Sequence, residues 1–341
     1  MNGNIPIAEL KPGDEVWLVL VVTSVRERRT QQGERFHLAA GRNASGSISL
    51  KVPSQAASAG GPIKPGLWGI VGRVESFQNQ PQLAVSEFRP ITRDKYRELQ
   101  KAEPVLPQAY TIDIETIALP GFRERAVSKL RRNQQLGKMN LEQQERYAAA
   151  RDQEEERAYR LGSLLAVTGR ILSIAVHVGP IAEIDSTLGA QTEHVFGIDA
   201  GGKEQPEPQA IGEFLSLMSG FDPEVDEIVG HNIIAFDLPF IFQRCLVNKI
   251  AGAPFVNLGE YSPRGVFDTM LRWWLGAKNR VGLDDLAWAL GLESSKTEEV
   301  EGSRVFDLYQ AGRLAEIREY NLSDVRLTRK IYERMVEIWG R

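Results

Sequence analysis

The sequence predicts a small all-β barrel followed by an α/β unit in which a mixed central sheet is flanked by helices. Two patterns carry that expectation. Short runs rich in β-branched and aromatic residues, separated by turn clusters, fill the first part of the chain. From Ala109 onward, strand-like and helix-like segments alternate. Composition agrees: 341 residues, 42% hydrophobic and 25% charged, is the make-up of a folded globular chain. At roughly 150 residues per domain, the length suggests about two domains.

The five β-rich runs are VWLVLVVTSVRER (Val16 to Arg28), RFHLAA (Arg35 to Ala40), GSISLKV (Gly46 to Val52), LWGIVGRVESF (Leu67 to Phe77) and QLAVSEF (Gln82 to Phe88). A Ser/Ala/Gly/Pro stretch, Ser54 to Gly66, makes a longer connection between the third and fourth. This arrangement fits a five-stranded Greek-key barrel, the OB-fold, among the several solutions open to a strand-rich segment of this size. Arg93 to Pro107 begins helical and ends in prolines, as a linker does. The expected division is a barrel at 1–92, a linker at 93–108 and an α/β domain at 109–341.

In the α/β part, AYTIDIET, GRILSIAVHVG, TEHVFGID and DEIVGHN read as strands. IGEFLSLMSG reads as an amphipathic helix, and helical patterns follow DEIVGHN to the C-terminus. Residues 121–160 are polar and charged and are expected to be a helical insertion.

A single cysteine, Cys245, excludes an intramolecular disulfide framework and a Cys-rich zinc site; in its apolar helix it reads as an inert buried thiol. The N-terminal MNGNIPIAEL lacks the basic and apolar regions of a secretory signal. Apolar runs such as Val16 to Val22 fall far short of the ~20 residues of a membrane helix. A reduced, cytoplasmic location without a membrane partner is the expectation. The 41 Lys+Arg against 45 Asp+Glu give a net charge of −4, which by itself argues weakly against a polyanionic partner.

Three separated stretches hold the informative residues. In TIDIET, Asp113 and Glu115 lie two apart, so a strand puts both on one face and Ile112 and Ile114 on the other. Carboxylates crowded on an apolar strand repel and resist desolvation, and a divalent cation is the simplest compensation; a solvated edge strand is the alternative. In VGHNIIAFDLPFIFQRC, Asp237 stands inside an apolar helical run, which is costly without a cation or hydrogen-bond donors. Pro239 two positions later also suits an N-cap. In REYNLSDVRLTRKIYERM, Tyr320 and Asp324 share a helical face beside an apolar stripe through Leu327 and Ile331.

The order D-x-E, N-x-x-x-F-D, Y-x-x-x-D resembles the three motifs of the DEDD superfamily of 3′–5′ exonucleases, in its tyrosine-bearing DEDDy branch. It is most similar to the proofreading exonuclease domains of family B DNA polymerases and their stand-alone bacterial relatives. The likeness covers Ala109 to the C-terminus, with TGRILSIAV, VFDTM and GLDDLAWALGL supporting it between the motifs. It implies an RNase H-like fold and phosphodiester hydrolysis. Asp113, Glu115 and Asp324 would hold one Mg²⁺ or Mn²⁺. Asp113 would bridge to a second ion, reached by Asp237 directly or through water. Two ions roughly 3.5–4 Å apart clamp the attacking and leaving oxygens in such mechanisms, and hard oxygen ligands suit these ions better than zinc. Tyr320 would orient the attacking water. His231 and Asn232 sit where such domains approach the terminal nucleotide, and Phe236 joins them as a candidate substrate contact. For His231, a strand-end role satisfying backbone groups is the competing expectation. Asp268, Asp284 and Asp285 are expected to cap helices, and of Trp273 and Trp274 at least one to be core.

The charge divides along the chain. Met1 to Val105 carries 14 Lys+Arg and 10 Asp+Glu, net +4, leaving 27 and 35, net −8, on the remainder. Arg26, Arg28, Arg29 and Arg35 cluster just before Phe36. Positive charge beside aromatics suits single-stranded nucleic acid, with phosphates on Arg and bases on rings; Phe36, Trp68 and Phe77 are the stacking candidates, Trp68 being also an expected core residue. Single-stranded DNA is the expected substrate, because the likeness is to DNA-polymerase domains, and RNA is the alternative. A non-catalytic nucleic-acid-binding subunit is a third reading, opposed by the presence of all four carboxylates and the tyrosine. The chain ends within about twenty residues of Asp324, so the expectation is a separately encoded enzyme acting beside a DNA polymerase or repair complex.

Arg123, Arg125, Lys129, Arg131, Arg132 and Lys138 follow the first motif with Glu124 as the one acid among them; a helical flap that guides the strand is one expectation for this segment, and an ordinary charged helix hairpin is the other. Reversing Arg131 and Arg132 to Glu should weaken oligonucleotide binding and flatten its salt dependence, read from Kd over a salt series; an unchanged slope rules the flap out.

Overall fold

A computed structural model describes the chain except residues 1, 4–5, 31, 59–60, 79, 103, 134–139, 183, 185–188, 260–262, 276–279, 294–304 and 341. The N-terminal part is built from β1 (Glu15–Arg29), β2 (Arg35–Asn43), β3 (Gly46–Pro53), β4 (Gly66–Phe77) and β5 (Gln80–Pro90). β1, β2 and β3 run antiparallel in sequence, and β4 pairs antiparallel with both β1 and β5. β5 closes the circuit by lying parallel to β3. The result is the closed five-stranded barrel of an OB-fold, and closure removes the exposed edges that a flat sheet would keep. Two further two-residue strands, Asn2–Gly3 and Ala57–Ser58, lie alongside β1 and β5. A register shift at Val71/Gly72 bends β4 against β5, and a Cβ at Gly72 would collide with the Ala84 carbonyl.

Val16, Leu18, Leu20 and Val22 point into the barrel with Leu50, Ile70, Leu83 and Trp68. The indole of Trp68 is buried and donates to the Lys64 carbonyl at 2.7 Å, so it fills the core and is not a stacking platform. The other face of β1 is also covered: Val19 and Val21 share a buried cluster with Tyr96, Phe267, Leu327, Ile331, Tyr332 and Met335. Burial on both faces explains why Val16 to Val22 shows no polar alternation. α1 (Arg93–Gln100) starts on a Thr92 cap and buries Tyr96 in this same cluster, so part of the segment read as a linker is packed into the seam.

The second sheet contains β6 (Gln108–Ala118), β7 (Gly169–Pro180), β8 (Thr192–Phe196), β9 (Glu227–Gly230) and β10 (Val266–Asp268), in the order β8-β7-β6-β9-β10. β6, β7 and β8 are antiparallel; β6, β9 and β10 are parallel. One face, through Ile112, Ile114, Ile174 and Val176, packs on α4 (Glu207–Met218) and α5 (Asp237–Asn248). The opposite face, through Ala175, Ile117 and Leu172, packs on α9 (Leu314–Trp339). β10 has only three residues and no periodicity of its own, so it became visible only through its ladder with β9.

α2 (Arg123–Asn133) and α3 (Leu141–Arg160) occupy the charged insertion. The side chains of Lys129, Arg131 and Arg132, and all of Lys138, lie outside the described residues. The end of α3 is tied down: Tyr159 donates to the Ala118 carbonyl at 3.4 Å, and Arg160 pairs with Asp307 at 2.6 Å on α8 (Val305–Gln310), which lies between α7 (Leu283–Ala289) and α9 in the chain. Arg123, one of the basic residues, is engaged by Glu156 at 2.7 Å.

Beneath α4 and α5 lies a buried ion pair. Arg244 meets Glu207 with two hydrogen bonds of 2.8 and 2.6 Å and also donates to the Ala166 carbonyl, while Glu207 accepts from the Ile171 amide. Removing one partner strands the other charge in the interior. Glu207→Ala should lower unfolding free energy by about 3–5 kcal/mol in urea denaturation, and a loss below about 1 kcal/mol contradicts this role.

Candidate functional site

β6 is the middle strand of its sheet, so the edge-strand reading of the D-x-E segment does not hold. Its alternation sends Ile112 and Ile114 toward α4 and α5 and leaves Asp113 and Glu115 on the α9 side. The Tyr320–Asp324 face of α9 meets them there. Carboxylate oxygens of Asp113, Glu115 and Asp324 all lie within 4.8 Å of one another.

Asp237 arrives from α5. β9 stops at Gly230, while β6 continues to Ala118, so an amide of β6 beyond the end of β9 is free for a side chain. Asp237 accepts the Ile114 amide at 3.2 Å. Phe236 holds the N-cap position of α5 and Asp237 is the first helical residue, so the capping reading of Asp237 is replaced by a cross-link to β6.

The turn between β9 and α5 is braced by Asp268. Its carboxylate accepts the amides of Asn232 and Ile234 at 3.1 Å each and caps α6 (Thr269–Trp274) through Met270 and Leu271 at 3.0 and 3.2 Å. Asn232 adopts the left-handed conformation, φ 63°, that this turn requires. His231 lies against Thr269 Oγ1 and the Val281 carbonyl, each at 2.9 Å from a ring nitrogen. Both nitrogens are therefore engaged within the protein, and a nucleotide contact would have no free nitrogen of His231 to act through. Asn232 is half-exposed beside it; Phe236 is half-exposed and packs on Phe240, with ring centroids 5.6 Å apart.

The electrostatics follow from crowding. Burial raises the proton affinity of Asp113 well above the carboxylate range, and Asp237, Asp324 and Glu115 add to it; the Asn321 amide opposes them. Glu115 is raised by burial and then by Asp324 and Asp237. Asp237 is pushed up to about 7, chiefly by burial, against the stabilising Ile114 amide. Tyr320 is raised by burial first and then by Asp324, Glu115 and Asp113, and its phenol is hydrogen-bonded to Asp324. It stays protonated at neutral pH.

Asn321 and Ser173 were not anticipated from sequence. Asn321 Nδ2 donates to Asp113 at 2.6 Å, and its carbonyl accepts the Ser173 hydroxyl at 2.7 Å. A polar residue on the inward face of an otherwise apolar helical stripe, next to Tyr320, was the available signal for Asn321. Cys245 is buried in α5, its thiol pushed up to about 11 by burial, as befits an inert group. On the barrel, Arg28 and Arg29 are exposed at the end of β1, and Phe36 pairs across from Arg28. Lys51 lies 5.9 Å from the Phe36 ring centroid. Phe77 is 57% exposed, unlike Trp68.

Three solved structures are similar to the barrel region. A domain of replication protein A from Methanococcus maripaludis is 17% identical, covering 26% of this chain and 92% of that one, with a TM-score of 0.22. The hypothetical protein ygiW from E. coli is 20% identical over 26% and 88%, with a TM-score of 0.21. The second OB-fold domain of the same archaeal replication protein A is 16% identical over 26% and 95%, with a TM-score of 0.20. The barrel assignment rests on its own strand order and closure. No curated protein matches the chain. Residues 170–341 match a family model for a predicted 3′–5′ exonuclease related to the exonuclease domain of PolB. The matched part contains Asp237, Tyr320 and Asp324; β6, with Asp113 and Glu115, precedes it and is joined to it through the β6–β7 ladder. With that model matched over half the chain and its acidic cluster completed by β6, the chain belongs to the family of predicted 3′–5′ exonucleases related to the exonuclease domain of PolB.

Proposed function

We propose that the chain hydrolyses single-stranded DNA from its 3′ end, releasing nucleoside monophosphates with the help of two divalent cations, Mg²⁺ or Mn²⁺. The observation that carries this reading is the cluster of Asp113, Glu115 and Asp324 oxygens, with Asp237 entering from α5. The donor set is entirely hard oxygen, and the charges raising Asp113 are all carboxylates, so the cluster fits a divalent cation of the magnesium class. Asp113, Glu115 and Asp324 would hold one ion, and Asp113 with Asp237 the other. Bound cations would supply the positive charge that stabilises the attacking and leaving oxygens of an in-line displacement. Tyr320, protonated and donating its phenol to Asp324, keeps oxygen lone pairs suited to orienting a water and is unsuited to removing its proton.

The barrel, residues 1–92, is the strand-binding unit in this reading, with 93–108 as the connection and 109–341 as the catalytic unit. Arg26, Arg28, Arg29 and Arg35 are exposed around the β1–β2 hairpin, where phosphates can meet them, and Phe36 and Phe77 offer ring surface to bases.

Activity is tested on matched 5′-labelled DNA and RNA oligonucleotides, single- and double-stranded, with Mg²⁺ and Mn²⁺ in turn. Single-stranded DNA should be shortened stepwise from the 3′ end, Asp113→Ala should lose on the order of 10³-fold in rate, and excess chelator should abolish it. Faster loss of RNA would transfer the substrate to the exoribonuclease reading, and activity surviving in Asp113→Ala or in chelator would remove the metal-site assignment. Reversing Arg28 and Arg29 to Glu should weaken DNA binding and flatten the slope of log Kd against log salt by about 1.4.

Stability carries the same signature. Asp113, Glu115 and Asp237 hold protons more tightly when folded, so at these three sites the folded chain binds more protons than the unfolded one. Their contribution to stability should then fall as pH rises from the unfolded carboxylate range near about 4 through the folded values, Asp237 at about 7 among them. In chelator, Asp113→Asn should melt at least about 2 °C above the wild type at pH 8, with the gap closing by about pH 4; added Mn²⁺ should raise the wild type more than the variant. A gap independent of pH contradicts the crowding.

A further inference from the structure

Asn321 is fully buried, and so is the Ser173 hydroxyl. A buried amide is costly unless both of its ends are satisfied. Here both are: the acceptor-only carboxylate of Asp113 takes the NH₂ group at 2.6 Å, and the amide oxygen takes the Ser173 hydroxyl at 2.7 Å. The chain Ser173–Asn321–Asp113 crosses three elements: β7, α9 and β6. Ser173 lies opposite Glu115 in the β6–β7 ladder, and Asn321 lies between Tyr320 and Asp324 on α9. One short polar relay thus touches every element that supplies a carboxylate of the Asp113–Glu115–Asp324 cluster.

We propose that Asn321, held by Ser173, is a positioning residue that fixes the Asp113 carboxylate for cation binding. With one carboxylate oxygen anchored to the amide, the group cannot rotate freely, which would hold it ready for a cation. The inference rests on the metal-dependent reading above. A purely structural role, joining α9 to the sheet, would stabilise the fold without setting metal affinity, and the two roles separate experimentally.

Mn²⁺ binding is measured calorimetrically on the full chain as wild type, Asp113→Ala, Asn321→Ala and Ser173→Ala, with oligonucleotide kinetics over a Mn²⁺ series. Asn321→Ala should raise the Mn²⁺ Kd by roughly 10–100-fold, as loss of a group supporting a metal ligand does. Its oligonucleotide KM should stay at the wild-type value, and excess Mn²⁺ should restore kcat. Ser173→Ala should shift Kd the same way by less. A wild-type Mn²⁺ Kd in Asn321→Ala, or in Ser173→Ala should the first variant not fold, overturns the proposal. So does a weakened kcat that no Mn²⁺ concentration restores. Undiminished Mn²⁺ binding in Asp113→Ala would instead overturn the metal-site reading and leave the anchoring of Asp113 as a separate fact.

Discussion

Mutual repulsion among carboxylates is the constraint around which the α/β part is arranged. Asp113, Glu115, Asp237 and Asp324 come from three elements, and burial with like charge raises the proton affinity of the first three. Left to themselves, these groups would move apart or turn to water. They stay together because the backbone carrying each one is fixed by interactions outside the cluster. Asp113 and Glu115 ride on a strand with neighbours on both sides. Asp324 rides on a helix whose inward face buries Leu322, Val325 and Leu327. The apolar contacts supply the stability, and the carboxylates draw on it.

Asp237 is the least obvious member, because its place depends on something missing. β9 is four residues long and ends before it can pair with the whole of β6. The Ile114 amide is satisfied by the Asp237 side chain, which brings the carboxylate to the cluster. Asp268 secures the turn that makes this possible, and the Glu207–Arg244 pair anchors α5 farther along. The site is held from behind by groups outside the Asp113–Glu115–Asp324 cluster.

The sequence showed most of this plan, and the reasons differ by part. The five barrel strands were legible because each is bounded by turn residues. The double burial of β1 explains the one run that lacked alternation, since both Leu18 and Val19 find apolar partners. Asp113, Glu115, Asp237, Tyr320 and Asp324 stood out through their order, which spacing alone would not have revealed. What stayed hidden was set by tertiary neighbours. Sequence could not show that His231 spends both ring nitrogens inside the protein, that Phe77 stands exposed on the barrel, or that Asn321 reaches Asp113. The whole-chain charge of −4 likewise concealed a basic barrel and an acidic remainder. It raised an objection to a polyanionic partner that the division into two units removes.

If cations are what relieve the repulsion, they must sit where it is greatest. Crystals of the full chain soaked in MnCl₂, with anomalous diffraction collected near the manganese edge, test this most directly. Anomalous peaks within bonding distance of Asp113, Glu115 and Asp324 are the predicted result, with a second peak between Asp113 and Asp237. A map without a peak at these carboxylates, from crystals in which they are ordered and ionised, would contradict it.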